Sequence, residues 1–275
     1  MEFNAFKMDG LGNDFVIIDQ RTKTINLSKE NIIKICSRDF IGCDQLIYIH
    51  RNKDNNKDKL TFYNSDGSIS EACGNGTRCV AKLLSKEYKN QEIDLETSSG
   101  ILHSSILEEN VVETNIGKPS MKWNEIPLIK AMNTKDLQIS IKDINENNFV
   151  GGIAINVGNP HIIFFVENNE NFEIENIGPK IERHKYFPEK CNVTIATIKN
   201  NNLINVKVWE RGAGLTKACG TAACATAYAG FVTKKTSENV NIQFTTGILS
   251  IRIDQNNSIF MKGPVSIIEE IKVNL

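Results

Sequence analysis

The feature that most constrains this chain is a repeat. The stretch NSDGSISEACGNGTRC at 64–79 recurs as ERGAGLTKACGTAAC at 210–224, which sets Cys73 and Cys219 apart by 219 − 73 = 146 residues. The loop glycines of GLGNDF (Gly12) and NVGNPH (Gly158) are separated by the same 158 − 12 = 146. An ordered set of landmarks at one offset implies two homologous halves, each delivering one cysteine to a shared place. A length of 275 residues suits one large domain or two ordinary ones of about 130 residues, and the repeat decides for two. Residues 118–133 carry two prolines and little periodicity. The halves are therefore expected at 1–118 and 119–264, with a last strand at 265–275 returning to the first.

Composition narrows the function. Lys and Arg number 32 against 33 Asp and Glu, a net charge of −1. No basic excess points to nucleic acid, and no basic amphipathic segment points to a membrane. The start, MEFNAFKMDG, lacks the pattern of a signal peptide. The longest apolar run, Ile162 to Val166, is too short to cross a bilayer. The expected location is the cytoplasm. Seven cysteines with no export signal argue against a disulfide framework. No CxxC occurs, so no metal site is expected. Cys36, Cys79 and Cys224 sit in helical patterns among apolar or small neighbours and read as core. Cys43 and Cys191 receive no role. Cys73 and Cys219 do not fit the core reading, because polar, glycine-rich loops lead into them.

Periodicity predicts many short strands and few helices. Strands are expected at Phe3–Lys7 and Phe15–Asp19, around a ligand-wrapping loop Met8–Asp14. A helix capped by Ser28 should follow over Lys29–Ser37. Strands at Leu46–His50 and Leu60–Tyr63 flank a charged turn, Asn52–Lys59. A helix over Cys73–Lys89 should place Val80, Leu83, Leu84 and Tyr88 on one side. A β meander is expected over Glu92–Thr97, Gly100–Leu107 and Val111–Ile116. The second half repeats this order, with strands at Val150–Val157 and His161–Val166 around Gly158–Pro160. A short helix at Asn176–Arg183 and strands at Asn192–Lys199 and Ile204–Trp209 follow. The helix Gly220–Val232 is apolar nearly all round and should be buried on every side. Strands at Val240–Phe244, Ile248–Ile253, Ser258–Lys262 and Ile267–Val273 complete the chain. One buried helix among many strands suggests a sheet curled around it.

The two ACG junctions carry the chemistry. A helix start presents unpaired N–H groups and partial positive charge, which lowers a thiol's pKa and welcomes a carboxylate. Two such junctions face to face would hold one carboxylate with a sulfur on either side. That geometry removes a proton from one face of a carbon and returns one to the other, as a racemase or epimerase requires.

The motifs GLGNDF, YNSDG, ACGNGTRC, NVGNPH, ERGAGLTKACGTAAC and TTGIL together resemble those of the diaminopimelate epimerase family, in family order through most of the chain. The resemblance implies an α+β fold of two pseudo-symmetric domains, each a mostly antiparallel β-barrel around a central helix, with the active site in the interdomain cleft. It implies cofactor-independent epimerisation of LL-2,6-diaminopimelate to meso-diaminopimelate, a small-molecule amino-acid substrate, in lysine and peptidoglycan-precursor biosynthesis. By position, Cys73 and Cys219 are the acid–base pair, supported by His161 and Glu210. Gly74, Asn75, Gly220 and Thr221 supply helix-start N–H donors to the reacting carboxylate. Asn13, Gln45, Asn64, Asn159, Asn192, Glu210 and Arg211 hold the distal amino-acid end, with Arg211 gripping a carboxylate through two N–H bonds. Leu215 departs from the pattern, since many relatives carry a second glutamate there. Ile267, Ile268 and Glu269 stand where some relatives carry a dimer-forming tyrosine, so the homodimer is a weaker expectation than the activity.

Taken singly, His161 reads as a structural histidine, Arg211 as a surface charge and the asparagines as turn formers; their places in matched loops give them function. Rival readings are a proline racemase relative, a phenazine-biosynthesis isomerase relative, and a thiol redox or metal-binding protein. Proline lacks the second head group that Arg211 and its asparagines suit. The paired cysteines are unexplained in the phenazine case. In the redox case, oxidation would switch activity on rather than off.

Overall fold

The computed structural model describes residues 1–52, 57–70, 73–98 and 100–275. In chain order, the elements begin with β1 (Glu2–Gly10), β2 (Asn13–Asp19), α1 (Lys29–Cys36), β3 (Gln45–Arg51), β4 (Asp58–Asn64) and β5 (Ile69–Ser70). Next come α2 (Gly74–Tyr88), β6 (Glu92–Thr97), β7 (Gly100–Glu108), β8 (Val111–Gly117), β9 (Ile139–Lys142), β10 (Asn148–Gly151), β11 (Ile153–Asn156) and β12 (Pro160–Phe165). The last are α3 (Ile174–Glu182), β13 (Asn192–Asn200), β14 (Leu203–Glu210), β15 (Gly214–Leu215), α4 (Gly220–Val232), β16 (Asn239–Phe244), β17 (Gly247–Ile253), β18 (Ile259–Pro264) and β19 (Glu269–Asn274). The class is α+β, dominated by strands. The chain divides into two compact units, one of Met1–Asn115 with Lys262–Leu275 and one of Ile116–Met261.

In the first unit, β1 pairs antiparallel with both β19 and β2. β2 pairs parallel with β3, β3 antiparallel with β4, β4 parallel with β6, and β6 antiparallel with β7. The helix α2 touches β1 and β2 as well as β6 and β7, so this sheet curls about it. Strand β2 is buried on both faces, and its alternation sorts them. Phe15 and Ile17 join Cys79, Val80, Ala81 and Leu84 of α2 in one core. Val16 and Ile18 join Ile32, Ile35 and Cys36 of α1 in another.

The second unit has the same plan. β11 pairs antiparallel with β12, β12 parallel with β13, β13 antiparallel with β14, β14 parallel with β16, and β16 antiparallel with β17. Each parallel step needs a crossover, and helices fill the crossovers in both units: α1 and α2 in the first, α3 and α4 in the second. α4 touches β11, β12, β13, β16 and β17. Its small residues Ala222, Ala223, Ala225, Ala227 and Ala229 are all buried, as its apolar circumference requires. Ile174, Ile177 and Ile181 of α3 pack with Ile162, Phe164, Val193 and Ile195 on the opposite face of the sheet.

Several elements differ from expectation. The loop expected at Met8–Asp14 is a two-residue turn, because β1 and β2 pair out to Gly10 and Asn13. Leu11 and Gly12 at its tip both take positive φ, 60° and 83°, the geometry that suits the twist of a tight hairpin. The strand expected at Val150–Val157 breaks at Gly152. There φ is 108°, and a Cβ would lie 2.8 Å from Ile162 Cδ1; residues before the break pair with β9 instead. Tyr88 leaves the apolar face of α2 and donates from its hydroxyl to Asp58 Oδ2 at 2.5 Å. The expected charged turn lies partly outside the described residues, at 53–56; Arg51 and Asp58 flank it in paired strands.

Candidate active site

In the first unit Cys73 is the N-cap of α2, with extended backbone (φ −109°, ψ 113°) and a half-buried side chain. Its carbonyl accepts from Thr77 N–H at 2.8 Å and Thr77 Oγ1 at 2.9 Å, which starts the helix. The buried Gly74, Asn75 and Gly76 form the first turn, whose N–H groups have no partner within a helix. Gly76 is required by close approach: a Cβ there would lie 2.8 Å from Ile47 Cδ1 and 3.0 Å from Phe62 Cε1. The turn thus sits directly on β3 and β4. Asn13, at the start of β2, brings Oδ1 to 3.8 Å from Cys73 Sγ and 3.4 Å from Asn75 Nδ2. Gln45 Nε2 donates to Asn64 Oδ1 (3.0 Å) and Ser70 Oγ (3.1 Å), and Asn64 Nδ2 to Ser68 Oγ (3.1 Å). These polar groups line the same strand ends, since Gln45 lies opposite Phe15 and Asn64 in the sheet.

In the second unit Cys219 is the N-cap of α4, again extended (φ −135°, ψ 114°), and is buried. Gly220 and Thr221 form the first turn. Burial, and then the Glu210 carboxylate beside it, push the Cys219 thiol well above its ordinary pKa, against the Thr221 hydroxyl and the Ala222 N–H. Thr221 Oγ1 lies 3.4 Å from Cys219 Sγ. Such a sulfur holds its proton at neutral pH. His161 is fully buried at the start of β12, with Nε2 2.7 Å from Asn159 Oδ1. Asn192 Nδ2 approaches the same ring nitrogen at 3.5 Å. Nδ1 has no hydrogen-bond partner among the described residues. Asn192 Nδ2 donates to Pro160 O (3.0 Å), and its Oδ1 accepts from Arg211 N–H (2.9 Å). The Arg211 guanidinium donates to Glu189 O at 3.1 Å.

The structure therefore brings Asn13 to Cys73, Gln45 to Asn64, Glu210 to Cys219, and Asn159, His161, Asn192 and Arg211 together. Cys79 and Cys224 are buried in their helices, Cys191 is buried, and Cys36 and Cys43 lie sulfur to sulfur at 3.4 Å. Register shows how the two half-sites differ. Phe15 stands opposite Gln45 where His161 stands opposite Asn192, and at the same offset of 146 Asn64 corresponds to Glu210 and Ser65 to Arg211. The first half-site is built from amides, and the second adds the ionisable groups. The sequence does not single out Asp44, which accepts from Asn13 Nδ2 at 2.9 Å, Arg38, which donates to Asp44, or Glu182, which accepts from Trp209 Nε1 at 2.7 Å. Asp44 is signalled only by its place beside Gln45. Among the described residues no three His, Cys, Asp or Glu side chains gather as a metal site, and no helix is long and apolar enough to cross a membrane.

His161 carries a testable pH dependence. Burial, then the Arg211 charge, lower its pKa from 6.5 to about 3. The unfolded chain therefore binds a proton that the folded one refuses, so stability falls as pH drops from 6.5 toward 3, by at most about 1.4 kcal/mol per unit for one proton. Denaturant unfolding at pH 7 and pH 4.5 is expected to show wild type losing more stability than His161→Gln. Equal losses would place the histidine in water.

The family model described as diaminopimelate epimerase matches residues 5–122 and 153–268. A diaminopimelate epimerase from Pelagibacter ubique is 62% identical over 275 residues, covering 100% of both chains. One from Acidiphilium cryptum is 37% identical over 265 residues, 96% of this chain and 94% of its own. Among solved structures, a hydroxyproline epimerase from Agrobacterium vitis aligns with a TM-score of 0.70 at 10% identity, covering 99% of this chain and 92% of that one. A Bacillus anthracis protein of the phenazine biosynthesis PhzF family aligns with a TM-score of 0.66 at 15% identity, covering 100% of both. These two likenesses concern the fold alone.

Proposed function

The chain belongs to the diaminopimelate epimerase family, and from that premise we propose that it interconverts LL- and meso-2,6-diaminopimelate with Cys73 and Cys219 as its acid–base pair. It is an isomerase of lysine biosynthesis acting on a small molecule. One sulfur, as thiolate, takes the α-proton, and the other, as thiol, gives its proton to the opposite face of the carbon. The first-turn N–H groups of Gly74, Asn75, Gly220 and Thr221 receive the reacting carboxylate, where developing negative charge is stabilised most. In the direction in which Cys219 is the acid, Glu210 helps to keep it protonated until the carbanion takes that proton; in the reverse direction the two sulfurs exchange roles. Asn64, Asn159, Asn192 and Arg211 take the distal head group, and Gln45 orients Asn64. Location in the cytoplasm, supply of peptidoglycan precursors and pairing as a homodimer belong to the same proposal.

The observation that carries this reading is the pair of N-cap cysteines, each at the start of a buried helix in a unit of the same topology. Proton NMR of LL-diaminopimelate with reduced protein in D2O, without pyridoxal phosphate or metal, tests it. Loss of the α-proton signal with growth of the meso isomer is expected. A substrate that keeps its α-proton would remove the assignment.

A further inference from the structure

We propose that Asp44 is a positioning residue that locks the Asn13 amide with its carbonyl oxygen turned toward Cys73. Nothing in the side chain of asparagine fixes which end faces a site, because oxygen and nitrogen are nearly the same size. A partner must decide. Asn13 Nδ2 lies 2.9 Å from Asp44 Oδ2. An ionised carboxylate only accepts hydrogen bonds, so the nitrogen end must face Asp44 and the oxygen end must face the sulfur. Asn75 Nδ2, which points at the same oxygen from 3.4 Å, agrees.

Asp44 is itself held on several sides. Its N–H donates to Asp14 O at 2.9 Å, and its Oδ2 accepts the Asp14 N–H at 3.2 Å. Arg38 bridges its Oδ1 and the Asp14 carboxylate, to which it donates at 2.6 and 2.9 Å. Lys7 Nζ stands 4.0 Å from Asp14 Oδ2. The parallel pairing of β2 with β3 brings these groups together. The arrangement is particular to this unit. At the corresponding place in the second unit, the Asn159 amide faces the His161 ring at 2.7 Å, not a carboxylate.

The consequence at Cys73 is electrostatic. A carbonyl oxygen beside sulfur favours the protonated thiol and can receive a substrate ammonium. An amide nitrogen in its place would favour the thiolate and repel the ammonium. Releasing the lock should therefore make Cys73 more acidic while weakening substrate binding. A merely structural role would not produce that combination.

The test compares Asp44→Ala, Asp44→Asn and Arg38→Ala by two readouts. One is the pH dependence of Cys73 alkylation by iodoacetamide, located by mass spectrometry, with melting curves as the control for folding. The other is kcat and KM for diaminopimelate, which rests on the function proposed above. Asp44→Ala is expected to lower the alkylation midpoint by about half to one pH unit and to raise KM roughly tenfold with a smaller change in kcat. Asp44→Asn keeps an oxygen for Asn13 and should recover most of both; Arg38→Ala should be mild, since Arg38 is 60% exposed. A midpoint that stays or rises in Asp44→Ala overturns the inference, as do equal losses in all three variants, which would make the ion cluster a simple brace. If wild type fails to epimerise diaminopimelate, the function reading falls, while the alkylation midpoint still decides the role of Asp44.

Discussion

Replacing either Cys73 or Cys219 by alanine is expected to lower epimerisation by about 10²–10⁴-fold or more, with the fold intact. Each sulfur sits at a helix start, where neither side chain caps the helix. The capping bonds come from the backbone carbonyls of these residues, which alanine retains. Cys79→Ala is the contrast. Its thiol is fully buried against α2's strands, and burial raises its pKa, so it carries no proton to substrate. Its loss should cost packing and leave turnover nearly unchanged. Turnover and melting temperature measured on the three variants separate the roles. An active Cys73→Ala beside a dead Cys79→Ala would show the site to be misassigned. The same roles predict that oxidation inactivates the enzyme, with activity returning on reduction.

The largest stability effect is expected at Gly178. A Cβ there would fall 2.3 Å from Trp209 Cγ and 2.6 Å from Trp209 Cβ, so helix α3 or strand β14 must move. Overpacking of this kind costs about 1–3 kcal/mol. The displaced indole would also leave Glu182, 3% exposed, without the N–H it accepts at 2.7 Å, adding about 1–3 kcal/mol. Gly178→Ala should therefore lower the melting temperature by many degrees and shift tryptophan emission to the red. Gly117→Ala, where a Cβ meets open space at φ 93°, should cost only the backbone strain of about 1 kcal/mol. Similar melting temperatures for the two variants would mean that Trp209 repacks freely. Because Trp209 precedes Glu210 and Arg211, Gly178→Ala should lose activity as well.

The fold class was legible because its signals are local. Alternation in β2 and the apolar circumference of α4 are written in consecutive residues, and so are the two ACG helix starts. The break at Gly152 was not legible, since it depends on Ile162 lying beneath the glycine. Nor was the tight turn at Leu11 and Gly12, where Gly10 and Gly12 suggested a longer loop. At the site, the spacing could single out Cys73, Cys219 and the asparagines, but not which end of an asparagine does what. That depends on groups brought in by parallel pairing, such as Asp44 for Asn13. Likewise the coupling of Glu210 to Cys219 bridges a strand and a helix start. Asn13, expected to hold the distal end of the substrate, lies 3.8 Å from the Cys73 sulfur, a neighbour that its spacing in the sequence does not reveal.

The pairing of β19 with β1 has a consequence for biogenesis. As the polypeptide emerges from a ribosome, the second unit is complete once residue 261 is free. The first unit is synthesised earlier, yet it must wait for the strand Glu269–Asn274 to cover the edge of β1. The half that is made first is finished last. Until then an open strand edge is exposed in the nascent chain, and a premature stop near the end would damage the unit that carries Cys73 rather than the one most recently translated.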